Sequence, residues 1–221
     1  MRWLERGGAF AFGVGLGAAL GLGVAAREAA AASTSATLGV ELGPQRTGNY
    51  GSVQVNEVSG GLEFRITLNS SLGNNADLHE FYFNLPDQFT GVRLTSSGCG
   101  GGSCNTPFQL DLGKATSGGA GSRFDYRVSF GNGRSQKGNG TLQLATFRIE
   151  ANPSLGLNPD PFDASFTSRH LAVLFAAHVP GARHVAATIG ATTVTPVPEP
   201  GTAALFGLGL VGLTWVGRRQ R

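Results

Sequence analysis

Leu62, Phe64, Ile66 and Leu68 take every second place in a run whose other members are Glu63, Arg65, Thr67 and Asn69. Successive side chains of an extended chain point to opposite sides, so a period of two marks a strand with one buried face. Phe124, Tyr126, Val128 and Phe130 alternate with Asp125, Arg127 and Ser129 in the same way. Phe81, Phe83 and Leu85 alternate with Glu80, Tyr82 and Asn84, which turns Tyr82 outward. Across 141–149 the parity slips between Leu144 and Phe147, which predicts a β-bulge. The stretch 171–177 is apolar throughout and predicts a central strand covered on both faces, with a buried helix as the alternative. Further strands are predicted at 52–58, 92–95, 108–112, 164–167 and 185–189. Clusters such as Gly60-Gly61, Asn74-Asn75, Gly118-Gly119 and Asn158-Pro159 separate them as turns. About ten short strands at this spacing predict an all-β body, a β-sandwich of jelly-roll kind, over residues 33–191.

The two ends follow a different pattern. Arg2 and Arg6 precede an apolar stretch rich in Gly and Ala, which closes on the small residues Ala29, Ala30, Ala31 and Ala32. A basic start, an apolar middle and small residues at a cleavage point predict a secretory signal peptide over residues 1–32. Cleavage follows Ala32, with Ala26 as the competing site and an uncleaved anchor as the alternative reading. At the other end, 192–198 is a short Thr/Pro/Val stalk, and Pro198-Glu199-Pro200 follows. Residues 201–217 carry no charge, and Arg218, Arg219 and Arg221 come after them. As a helix the uncharged stretch spans roughly 25 Å, the short edge of what a ~30 Å hydrocarbon core requires. It predicts one transmembrane helix, with the arginines held inside as its membrane stop and the body outside. The unit 192–221 is thus a stalk and a membrane signal.

This tail resembles the PEP-CTERM sorting signal of Gram-negative bacteria, on the strength of Pro198, Glu199 and Pro200, the single apolar span and the closing arginines. The resemblance implies that an exosortase in the inner membrane recognises the three-part signal and removes the tail. It implies export through the secretion translocon, transient residence in the inner membrane, and a final place at the cell surface or in the extracellular matrix. It also implies an association with bacteria that make extracellular polysaccharide. The run Leu144-Ala145-Thr146-Phe147-Arg148-Ile149 is similar to a strand of cohesin-type jelly rolls, a likeness of fold that fixes no function.

Charge changes the picture by exclusion. The chain holds 17 Lys and Arg against 14 Asp and Glu. Without the arginines and glutamates of the two ends, eleven charges of each sign remain. A neutral body has no electrostatic footprint for a phosphate backbone, so nucleic acid is excluded as a partner. Charged residues make up 14% of the chain and Gly 35 of its 221 positions, a composition for turns and strands rather than a helical bundle.

Candidate chemistry is sparse. Cys99 and Cys104 flank three glycines and a serine, and in an exported chain they predict a disulfide that pins a loop. Asn158, Asp160 and Asp163 form an oxygen-rich loop, with Asp160 and Asp163 as calcium candidates, although an Asx turn explains the same residues. His170 and His178 would stand about 26 Å apart along a strand and cannot share a metal. His79-Glu80 is not followed by a second His at zinc-protease spacing, and all four histidines, His184 included, are read as surface or strand-end residues. Gly207, Gly209 and Gly212 match a dinucleotide fingerprint in letters, but they lie in the membrane signal without the strand, helix and acidic residue it needs. There is no G-x-S-x-G. No catalytic residue and no cofactor is predicted. The sequence is read as an exported, non-enzymatic surface or matrix protein, structural or adhesive, linked to extracellular polysaccharide or biofilm. The alternatives are a carbohydrate-binding module using Tyr50 and Tyr82 as exposed stacking rings, and a secreted hydrolase.

Overall fold

The computed structural model describes residues 32–99, 108–116, 123–130, 142–157, 161–166, 171–183, 185 and 188–197. Within them run β1 (Ser33–Glu41), β2 (Thr47–Val58), β3 (Gly61–Leu68), β4 (Glu80–Phe83), β5 (Thr90–Cys99), β6 (Gln109–Thr116) and β7 (Arg123–Ser129). They continue with β8 (Leu144–Asn152), β9 (Ser165–Phe166), β10 (Ala172–Val173), β11 (Phe175–His178), β12 (Thr188–Ala191) and β13 (Thr195–Pro196). The body is all-β, as the alternation predicts.

In place of two packed sheets, every strand but β9 and β10, which pair with each other, belongs to one hydrogen-bonded sheet. Its order is β5-β8-β3-β2-β1-β12-β11-β4-β7-β6, with β13 on the start of β1. Strands β5 and β6 end the path and approach each other without a paired ladder among the described residues, so the sheet is nearly closed and barrel-like. Alternation specifies which face is buried. It does not say whether the facing walls belong to one sheet or two, so the expected sandwich gives way to this rolled sheet.

The core is aromatic. Phe64 of β3 is fully buried, stacked on Phe147 of β8 at 4.8 Å, and meets Phe83 of β4 at 5.3 Å and Phe175 of β11 at 6.3 Å. Those strands stand on opposite walls, so the rings fill the interior from side to side. Val53, Val55, Leu62, Ile66 and Ile149 complete the lining.

Four local expectations are corrected. Strand β8 pairs with β3 in unbroken register, with Ala145, Phe147 and Ile149 inward. The register shifts lie instead in its pairing with β5, between Thr90 and Arg93 and between Leu94 and Ser96. The apolar stretch 171–177 bends at Leu174 and divides between β10, paired with β9, and β11. As expected of a central strand, β11 lies between β12 and β4 with Phe175, Ala176 and Ala177 buried. Tyr82 does point away from Phe81 and Phe83, yet it is buried in a second cluster with Val40, Leu42, Phe124, Val173 and Ala176. Gly190 makes room there, because a Cβ at that position would stand 2.7 Å from Leu42 and 2.9 Å from Val173. Lastly, β1 and β13 were not anticipated: Thr195 and Pro196 of the expected stalk pair with β1, so the sheet takes in residues past 191.

Candidate functional site

Residues 33–35 sit between two neighbours. On one side Ser33 and Thr34 pair with Asn56 and Val55 of β2, and the Ser33 Oγ donates to Asn56 Oδ1 at 2.8 Å. Just before them, the Ala32 carbonyl accepts from the Glu57 N–H at 2.8 Å. On the other side, Thr34 and Ser35 face Pro196 and Thr195 of β13. The Val197 N–H donates to the Ser33 carbonyl at 2.9 Å, the Thr34 hydroxyl to the Thr195 carbonyl at 3.1 Å, and the Ser35 hydroxyl to that same oxygen at 3.5 Å. The Pro196 ring has no N–H to add. The place where the body begins is therefore clasped by the place where it ends.

The outer face of β4, β6 and β7 carries a paired charge network. The Arg127 guanidinium donates to Asp111 Oδ2 through Nε and Nη2, at 3.0 and 2.9 Å, and to Glu80 Oε1 at 3.3 Å. The Tyr82 hydroxyl donates to Glu80 Oε2. Burial first, then the Glu80 hydrogen bond and charge, push the Tyr82 phenol well above its ordinary value. These groups satisfy one another as a structural network.

Beside it, the buried Asp77 accepts from the Leu142 N–H at 2.8 Å and lies 3.6 Å from His79 Nε2. The His79 and His178 rings are 6.1 Å apart. His178 Nδ1 is buried with no hydrogen-bond partner among the described residues. Desolvation lowers the His178 pKa below 6.5; the facing Glu80 carboxylate opposes that and the neighbouring His79 adds to it. The unfolded chain therefore takes up this proton at higher pH than the folded one, so stability is full above about pH 6.5 and falls as pH drops below it. Melting temperatures measured from pH 7.5 to 5.5 should decline, and His178→Gln should flatten the slope. Equal slopes in both proteins would assign the effect elsewhere.

A groove of about 350 Å³ lies by the turn at Ser59, with Arg93, Glu150 and Asn152 among its lining. Glu150 is bridged by Arg93 and Arg148, each at 2.9 Å. The hydrogen bond from Arg93, with the charge of both arginines, holds the Glu150 carboxyl below its usual range.

The residues predicted from sequence are distributed unevenly. Cys99 ends β5 half-buried and no free cysteine occurs among the described residues, while Cys104 lies outside them. Asp163 is exposed, and Asp160, His170 and His184 lie outside the described residues. Among the described residues no group of three or more His, Cys, Asp or Glu could hold a metal. Tyr50 and Tyr82 are buried, Tyr50 with its hydroxyl on Glu41 at 2.9 Å, so neither is the exposed stacking ring expected of it. Residues 1–31 and 198–221, with Pro198, Glu199, Pro200, Arg218, Arg219 and Arg221, lie outside the described residues. No helix among the described residues is long and apolar enough to cross a membrane.

Comparison with known families bears on the tail that leaves the clasp. Residues 196–220 match the family model of the PEP-CTERM protein-sorting motif. The tail is a PEP-CTERM sorting signal. Such a signal implies export through an exosortase system, membrane-associated sorting, and an exosortase as the processing enzyme. No curated protein and no solved structure matches the chain. The PEP-CTERM match begins at Pro196, the last residue of β13, so signal and body overlap at the clasp. Sequence reasoning found the signal, which is local and linear, and missed Ser33, Thr34, Ser35 and Thr195. Those residues come together across about 160 positions of chain, and their small polar side chains carry little of the alternation that reveals a strand.

Proposed function

We propose that this protein is an exported, non-enzymatic component of the cell surface or extracellular matrix, structural or adhesive, associated with extracellular polysaccharide. Residues 1–32 direct it to the translocon, and the Cys99–Cys104 disulfide forms after export. Residues 201–217 hold the chain in the inner membrane, with Arg218, Arg219 and Arg221 on the inner side, until the exosortase acts. The observation that carries this reading is the PEP-CTERM motif, which starts where the folded body stops. Two prolines around Glu199 keep the recognition strip extended and withhold backbone donors, as suits a target that is read rather than folded.

In a host that carries the exosortase, the intact mass of surface material should lack everything beyond the region of the motif. Changing Pro198, Glu199 and Pro200 together to alanine should leave the full tail in place and the chain in the inner-membrane fraction. Surface protein whose mass ends at Arg221 would make the tail a permanent anchor.

A further inference from the structure

The apolar span begins at Gly201, so only Pro198, Glu199 and Pro200 separate it from Val197, the last of the described residues, which is bonded to the sheet. Three residues reach at most about 10 Å. A membrane enzyme that takes an extended substrate into a cleft needs chain on both sides of the bond it cuts. Here Thr195, Pro196 and Val197, the residues just before Pro198, are bonded to the start of β1.

That commitment divides into a firm part and a loose part. All four residues of β12 are buried, and β12 is paired on both sides, with β1 and β11. Between Thr192 and Val197 the described side chains are mostly exposed: Thr192, Thr193 and Thr195 face solvent and Val197 is 40% exposed. Strand β13 holds to β1 through a ladder of only two residue pairs, Thr34–Pro196 and Ser35–Thr195, and through the bonds of Val197, Thr34 and Ser35 described above, the Ser35 side-chain bond being 3.5 Å long. Among the described side chains of this stretch, Val194 alone packs against the core. The fold thus has a natural breakpoint after Ala191.

We propose that residues 192–197 form a releasable strap, and that its detachment from β1 presents the sorting motif to the exosortase. Release of six residues adds up to about 20 Å of reach while β12 keeps the body intact. The inference rests on the exosortase reading above.

The test is a lock. Ser35 and Thr195 are cross-strand partners, so Ser35→Cys with Thr195→Cys places two thiols within disulfide reach in an exported chain. In the exosortase host, full-length chains with the bond verified by peptide mapping should be processed at least tenfold more slowly than wild type. Each single-cysteine variant should be processed normally. Six Gly/Ser residues inserted between Val197 and Pro198 of the locked chain should restore processing, because they supply the missing reach without opening the strap. Recovery of this kind also separates a locked body from a misfolded one. Wild-type processing of the verified locked chain would overturn the proposal, as would failure of the insertion to rescue it. Absence of processing in wild type itself would overturn the sorting assignment beneath it.

Discussion

Phe64→Ala is expected to destabilise the body by about 3–5 kcal/mol, the usual cost of removing a large ring from a core that cannot collapse around the gap. Phe64 has no exposed surface, and its ring meets Phe81, Phe83, Phe147, Phe162 and Phe175 at centroid distances between 4.8 and 6.3 Å. No single neighbour can fill the space, since the five rings are held by three strands and a loop, Phe81 and Phe83 both by β4. Domains of this size hold on the order of 5–15 kcal/mol in total, so the loss consumes a large share of it. Urea unfolding of residues 33–197 measures the shift in midpoint. Leu112→Ala is the control: that side chain is 64% exposed and its removal should move stability by less than about 0.5 kcal/mol. Similar shifts for the two variants would mean that the aromatic cluster is not the core.

Gly61→Ala should be costly by a separate route. Gly61 opens β3 between Val58 of β2 and Glu150 of β8. A Cβ there would stand 2.1 Å from the Ile149 carbonyl oxygen and 3.0 Å from the Glu150 Cγ. The nearer obstacle is backbone, which a rotamer change cannot move, so β3 or β8 must shift and disturb two ladders. A loss of at least ~2 kcal/mol is expected, as for overpacking of a close-packed site. Gly43→Ala, whose Cβ would meet nothing within 4 Å, should leave stability nearly unchanged. The same unfolding experiment distinguishes them, and equal behaviour would contradict the close approach of β3 to β8.

These two positions mark what was legible in the chain. The alternation around Phe64 identified β3 and its buried face without any partner in view, because period two is a property of the strand alone. The partners of β3 were not legible. Nor was the fate of Tyr82: alternation turned it to the correct side, but only the fold brings Leu42 and Val173 over that side. Strand β1 escaped notice because Ser33, Ser35, Ala36 and Gly39 dilute the contrast between its faces. The tail was readable for the opposite reason, since prolines, an uncharged span and arginines act in linear order.

The position of β12 has a kinetic consequence. It joins β1 to β11, and so joins the run from β5 through β8, β3 and β2 to β1 with the run from β11 through β4 and β7 to β6. Thr188 to Ala191 are among the last residues of the body to be made and exported, yet no ladder but theirs unites the two runs among the described residues. The sheet cannot be completed from its early strands, and contacts between such distant segments form slowly. Maturation of this protein is therefore governed by its final stretch of chain. Until that stretch has been made, the one ladder that joins the two runs has no strand to form on, and the two ends of the body have nothing to bring them together.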